Sequence, residues 1–134
     1  MYDFLCPKCN EHLRVGENII LKVKNLRKQT ALLLLSPHIG NYTSQKHPSF
    51  EIQDGETICF FCPLCNGSLT SDIHKNLAHL VLSNGTGRSC DVYFSRIAGE
   101  HSTFETDGEA IHIAGEDAGR YTYFRLGDKF RKYF

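Results

Sequence analysis

The sequence lacks several features that would place it in a common functional class. It has no excess charge, because 15 Lys+Arg residues balance 15 Asp+Glu residues, so no global basic field indicates a nucleic-acid partner. Its longest purely apolar run, residues 31–35, is far shorter than the roughly 20 residues of a membrane span. It also lacks Gly-x-Gly-x-x-Gly, Walker, Gly-x-Ser-x-Gly and His-Glu-x-x-His signatures. We therefore expect neither a membrane protein nor, on balance, an enzyme.

The first residues show no secretion signal. Residues 1–6 contain no basic segment and no long apolar segment, so we expect a cytoplasmic protein whose six cysteines stay reduced or bind metal. The length of 134 residues fits one domain, and 41% hydrophobic residues are enough for a core.

One five-residue motif occurs twice. Residues 6–10 read Cys-Pro-Lys-Cys-Asn and residues 62–66 read Cys-Pro-Leu-Cys-Asn. Each tight turn lets two sulfurs converge on one metal, and four thiolates form the closed tetrahedral site of structural zinc. The motif therefore predicts one structural zinc ion with four ligands: Cys6, Cys9, Cys62 and Cys65.

This pair of motifs resembles the knuckles of zinc-ribbon and rubredoxin-like proteins, in which two Cys-Pro-x-Cys turns at the ends of β-hairpins hold one metal. The resemblance covers the two knuckles and the strand leading into each. It implies a module that recognises protein or nucleic acid, or alternatively an iron electron carrier, since four thiolates also suit iron. Those knuckles usually carry Gly after the second Cys, but Asn10 and Asn66 stand here. Asn is the non-glycine residue best able to adopt the left-handed conformation.

Hydrophobic patterning predicts a mainly β fold of zinc-ribbon-like antiparallel hairpins, with an elaborated sheet between the knuckles. Alternation predicts a strand over residues 18–24, and four consecutive leucines predict a strand over residues 30–36 that is covered on both faces. Residues 77–82 and 90–95 predict another hairpin, preceded by a short helical turn over residues 70–76.

Two Asp-Gly pairs predict two further hairpins, because both central turn positions need positive φ. Asp54-Gly55 joins residues 50–53 to 56–61, and Asp107-Gly108 joins residues 103–106 to 109–113. Together with the repeated knuckle, this order suggests an internal duplication over residues 6–61 and 62–113, followed by an extension over residues 114–134. One zinc ion would then tie both halves. The alternative is that unrelated hairpins share common turn residues.

Two other groups of residues are candidates for binding. Four basic residues lie around one strand and its turn, where they could contact phosphate or only keep the turn solvated: Lys22, Lys24, Arg27 and Lys28. The loop over residues 37–48 contains polar residues that could form a small-molecule or enzymatic site, or lie free in solvent: His38, Asn41, Tyr42 and His47.

Three further residues could take part in metal or thiol chemistry. Cys59 forms a third Cys-x-x-Cys, which overlaps the second knuckle at Cys62. We interpret Cys59 as a buried strand residue or, alternatively, a substitute ligand. Cys90 is interpreted as a core residue rather than a nucleophile. His12 follows the first knuckle and is expected at the surface or beside the ligands.

Overall fold

The computed structural model describes residues 3–38, 40–83, 89–107 and 111–118. These residues contain strands and turns but no helix, which confirms a mainly β fold. Consequently no helix among them could cross a membrane. Their strands are β1 (Asp3–Leu5), β2 (Arg14–Val15), β3 (Asn18–Lys24), β4 (Thr30–Leu35), β5 (Ser44–Lys46), β6 (Cys59–Phe61), β7 (Leu77–Ser83), β8 (Ser89–Ser95), β9 (Thr103–Thr106) and β10 (Ile111–Ala114).

The strands form two antiparallel sheets. Sheet I has the order β1-β7-β8-β9-β10, and sheet II has the order β2-β3-β4-β5 with β6 also paired to β3. The predicted strand over residues 18–24 is confirmed as β3, and the β9–β10 pair forms as predicted. The segment that joins the predicted strands 77–82 and 90–95 lies mostly outside the described residues, as do Gly108 of the predicted Asp-Gly turn and most of the 114–134 extension.

The hairpin predicted at Asp54-Gly55 is wrong, although the turn itself forms. Gly55 has a φ of 84°, and the Glu56 amide donates to the Gln53 carbonyl at 3.0 Å. Residues 50–53 are not a strand, because side chains satisfy the backbone there: the Gln53 amide donates to the Glu56 carboxylate, and Asn25 donates to the Glu51 carbonyl. The second arm is a strand only over Cys59–Phe61.

The helical turn predicted over residues 70–76 is also absent. The Ser71 hydroxyl instead accepts the amides of Ile73 and His74, at 3.0 and 3.4 Å, and so closes a tight turn without helical bonding.

The central hairpins of the two sheets have the same register. Leu21 of β3 pairs with Leu33 of β4, and Leu80 of β7 pairs with Val92 of β8. Each residue of the second pair is numbered 59 higher than the matching residue of the first. The same difference holds for every β3–β4 pair and for the β4–β5 pairs compared with the β8–β9 pairs. We call β3–β4 the first hairpin and β7–β8 the second.

The strand that leads into each knuckle pairs with the hairpin that follows the other knuckle. Phe4 of β1, which precedes the first hairpin, pairs with Leu82 of the second. Phe60 of β6, which precedes the second hairpin, pairs with Val23 of the first. The two knuckle-and-hairpin segments therefore exchange strands, and they cannot separate from each other without breaking both pairings.

The core lies between the sheets. One cluster combines the inward residues of both hairpins with the two exchanged strands: Leu21, Val23, Leu33, Leu80, Leu82, Val92, Phe4 and Phe60. Complete burial of each such side chain contributes about 1.5–3 kcal/mol.

The outer faces of the two sheets differ. On sheet I, Leu77, Tyr93 and Phe104 are fully buried and pack with Ala118. On sheet II, Leu32 is 56% exposed, so the prediction that the leucine run is covered on both faces is wrong. The outward residues of β4 simply have no such cluster of described side chains over them.

Candidate metal centre

Each knuckle is a closed loop at the end of an exchanged strand. In the first, the Leu13 amide donates to the Phe4 carbonyl at 2.7 Å, and the Cys6 amide donates to the Glu11 carbonyl at 3.0 Å. The second knuckle repeats both bonds with residues numbered 56 higher: Leu69 to Phe60, at 2.8 Å, and Cys62 to Gly67, at 3.0 Å. Knuckle 1 thus extends sheet I, and knuckle 2 extends sheet II.

The two asparagines adopt the left-handed conformation predicted for them. Asn10 has a φ of 61° and Asn66 a φ of 59°. Their amides donate at 2.9 Å to the carbonyls of Cys6 and Cys62 respectively. The left-handed residue turns the chain back so that the following amides approach the sulfurs.

Backbone amides point at the sulfurs in both knuckles. The amides of Lys8 and Cys9 lie 3.3 and 3.4 Å from Cys6 Sγ. The Leu64 and Cys65 amides each lie 3.4 Å from Cys62 Sγ. Donors of this kind favour a thiolate over a thiol, because they stabilise the negative charge.

The four sulfurs come together between the sheets. Cys6 Sγ lies 3.8 Å from Cys65 Sγ, Cys9 Sγ lies 3.8 Å from Cys62 Sγ, and all four lie within 4.8 Å of one another. A regular tetrahedron with metal–sulfur bonds of about 2.3 Å has edges of about 3.8 Å. The cluster therefore has the size needed to hold one metal ion.

The ligands of each knuckle differ in exposure. Cys6 and Cys62 are fully buried, whereas Cys65 is exposed. Burial raises the pKa of the Cys6 thiol, and the Gly67 amide, 3.4 Å from Cys65 Sγ, lowers the pKa of Cys65. Without a cation, desolvation opposes ionisation of the Cys6 thiol, and a divalent ion at the centre of the cluster would compensate for it.

Among the residues that the structure describes, no other metal-binding side chain joins the four cysteines. His12 is exposed and its Nδ1 bonds to the Asp3 carboxylate, which agrees with its expected surface position. Lys22 Nζ donates to Asn66 Oδ1 at 2.8 Å and braces knuckle 2 against sheet II.

The other two cysteines lie apart from the four-sulfur cluster. Cys59 faces outward from β6, with Arg96 Nη2 at 3.5 Å from its sulfur. Burial, reinforced by a hydrogen bond at 3.4 Å to the Glu105 carboxylate, raises the pKa of Cys90 to about 12. A thiol with so high a pKa is a poor nucleophile.

The four predicted basic residues do not form one free patch. Lys22 and Lys24 project from the outer face of sheet II, whereas Arg27 and Lys28 lie in the turn between β3 and β4. Arg27 pairs with the Glu51 carboxylate at 2.9 Å, so its charge is already neutralised.

The candidate loop residues are divided between two places. His38, Asn41 and Tyr42 line a cavity between the sheets. His47 does not, and its Nδ1 bonds instead to the Ser49 hydroxyl at 2.7 Å.

Sequence reasoning missed one feature of this cavity. Tyr42 and His101 stack with ring centroids 4.4 Å apart and planes 4° apart. Their residue numbers differ by 59, the same offset that separates matching positions of the two hairpins. Ser36 and Ser95, and Gly40 and Gly99, are also 59 residues apart. Extending this offset by two residues would have predicted that Tyr42 and His101 occupy matching positions.

Comparison of this chain with protein-family models, with curated proteins and with solved structures finds no match. Its function is therefore argued from the geometry.

Proposed function

We propose that Cys6, Cys9, Cys62 and Cys65 bind one zinc ion with a structural role. The observation that carries this proposal is the sulfur arrangement, whose 3.8 Å separations match the edges of a tetrahedral thiolate site. Four protein ligands leave no coordination position open for a substrate. The ion would connect the knuckle of sheet I to the knuckle of sheet II.

Metal analysis tests this proposal. We expect one equivalent of zinc per chain and a colourless protein when it is purified anaerobically under reducing conditions, which match the cytoplasmic location we propose. A red protein with visible charge-transfer absorption and one equivalent of iron would favour the electron carrier instead. Absence of both metals would remove the metal proposal.

The zinc-held body is proposed to recognise another protein through the outer face of sheet II. The outward positions of β3, β4 and β6 carry Ile20, Leu32, Leu34 and Phe61 together with Lys22 and Lys24, and no acidic residue. A groove of about 830 Å³ runs along this face beside β5. The equivalent face of sheet I is covered by the chain itself.

The chemistry of this face favours a protein over a nucleic acid. Nucleic-acid surfaces without sequence preference stack bases on successive aromatic rings. This groove offers aliphatic side chains at Leu32 and Leu34, and the ring of Phe50 in its lining is buried. The lysines at its side complement acidic residues. We therefore infer an apolar protein segment flanked by acidic residues as the partner.

Paired captures from a lysate of the native cell test the surface. We expect the wild type and the control Leu26→Glu, which alters a leucine that is 72% exposed in the β3–β4 turn, to retain the same acidic protein. Leu32→Glu should lose it, and nuclease treatment should leave it bound. Capture that requires nucleic acid and weakens in Lys22→Gln/Lys24→Gln would replace this proposal with nucleic-acid binding.

A further inference from the structure

A cavity of about 330 Å³ lies between the two sheets. Its floor is apolar and comes from both hairpins: Leu33 and Leu35 from the first, Val92 and Phe94 from the second. Small-molecule sites have volumes of about 300–1,000 Å³, apolar linings and a few polar groups. The cavity meets each of these conditions.

Two matching loops line the cavity: residues 36–38 with 40–42, and residues 95–101. The stacked rings of Tyr42 and His101 form one wall, and the Tyr42 hydroxyl bonds to Thr103 Oγ1 at 2.8 Å. This wall is held from behind, because the His101 amide donates to the Asp117 carboxylate and the Asp117 amide donates to the His101 carbonyl, each at 2.9 Å.

Close packing at Gly115 also fixes the wall. A Cβ atom at Gly115 would lie 2.2 Å from the His101 carbonyl oxygen and 2.5 Å from the Tyr42 hydroxyl. The turn over residues 115–118 therefore rests directly against the His101 backbone and the Tyr42 hydroxyl. A wall held in this way keeps its shape before a ligand arrives, which lowers the entropic cost of binding.

The Lys, Arg, Asp and Glu side chains that line the cavity carry no net charge. Arg96 donates to the carbonyls of Ile58 and Lys75, and Lys46 donates to the Phe50 carbonyl. Asp54 and Glu100 balance these two cations among the lining residues. A charged ligand of either sign would meet a like charge as well as an opposite one, and would gain no net attraction to offset its lost hydration.

We propose that this cavity binds an uncharged, planar aromatic molecule about the size of indole. Phe94 and Phe60 meet edge to face in its lining, with centroids 5.2 Å apart, and add aromatic surface to the Tyr42–His101 wall. Rings packed against such surfaces are stabilised beyond the effect of area burial.

Titration of the metal-loaded full chain with three probes, followed by ¹H–¹⁵N NMR, tests the proposal. Indole should shift the amides of residues 95–101 with a measurable Kd, while tryptamine and indole-3-propionate bind at least tenfold more weakly. Ser44→Phe, on the cavity side of β5, should weaken indole binding at least tenfold. Gln45→Phe, on the opposite side of the same strand, should change it less than twofold.

Three results would overturn the proposal: no saturable shift with indole, tighter binding of either charged analogue, or equal losses in the two β5 variants. None of them bears on the protein-recognition face, because Leu32 lies on the other side of sheet II and is tested separately.

Discussion

The two sheets are built on hairpins of the same register but finish differently on their outer faces. Tyr93 and Phe104 of sheet I are fully buried, and the positions that carry the same pairing in sheet II are Leu34 and Gln45, which are not. Inner-face pattern and turn length fix strand pairing, because a shift by one residue would turn every inward side chain to solvent. Outer-face cover depends on other segments.

Those segments exist around sheet I alone among the described residues. Ile73, from the turn before β7, and Ala118, from the turn after β10, pack on Leu77, Tyr93 and Phe104. In sheet II the segment before β3 forms β2, which pairs beside β3 rather than lying over it. The same hairpin thus serves once as a core layer and once as a surface with an open apolar face.

Breaking the proposed metal clamp should have the largest effect, because the ion would join the two sheets. In Cys62→Ser we expect loss of the bound metal and of cooperative unfolding, since structural zinc contributes about 10–16 kcal/mol of apparent binding energy in finger peptides. Metal analysis and urea denaturation followed by circular dichroism measure both.

Cys90→Ser is the matched control for this experiment. Cys90 lies outside the sulfur cluster, so the variant should keep one metal ion and a single unfolding transition. Full metal retention in Cys62→Ser would show that the ligand set is wrong.

Truncating one side chain on the outer face of each sheet should have the next-largest effect, and the effect should differ between the sheets. Phe104→Ala removes a fully buried ring and should lower the free energy of unfolding by about 3–5 kcal/mol. Leu32→Ala removes an exposed side chain and should change it by no more than about 0.5 kcal/mol. Urea denaturation of both metal-loaded variants measures the difference, and equal losses would mean that the outer face of sheet II is covered in solution.

The sequence was informative wherever a local rule acts. The period of two in residues 18–24 predicted β3, the knuckle spacing predicted which cysteines come together, and Asn predicted the left-handed turn. The hairpin at Asp54-Gly55 failed because Asn25 and Glu56, one of them distant in sequence, take the backbone groups that a ladder would have used.

Strand exchange had no local signal. Whether β1 pairs with the first hairpin or the second depends on contacts between residues as far apart in sequence as Phe4 and Leu82. The duplication over residues 6–61 and 62–113 stays a prediction. It is supported by the constant offset of 59 residues between matching positions of the two hairpins.

Acid should weaken the turn of the first hairpin through Glu56. Its carboxylate accepts the amides of Leu26, at 2.7 Å, and Gln53, at 3.0 Å, and these bonds lower the pKa of Glu56 below its ordinary value near 4.5. A lowered folded-state pKa stabilises the protein above about pH 4.5, and that contribution is lost as the pH falls through the folded pKa.

Glu56→Gln should therefore lose stability at pH 6–7 by less than Phe104→Ala does, and the loss should shrink toward zero below pH 4.5. Glu51→Gln, which removes an exposed partner of Arg27, is the control and should show little change. Urea midpoints between pH 3.5 and 7 measure both, and a loss in Glu56→Gln that is independent of pH would contradict the assignment.

The smallest expected difference lies between the two knuckles. Asn10→Gly and Asn66→Gly each replace a left-handed residue with one that adopts this conformation freely, but glycine also increases the entropy of the unfolded chain, so each change should stay within about 0.5 kcal/mol. Asn66→Gly additionally removes the acceptor of Lys22 Nζ and should cost about 0.5–1 kcal/mol more. In a Lys22→Met background, where that bond is already gone, urea denaturation should find the two variants equal. A difference that persists there would mean that the knuckles differ in their backbones, despite φ angles of 61° and 59°.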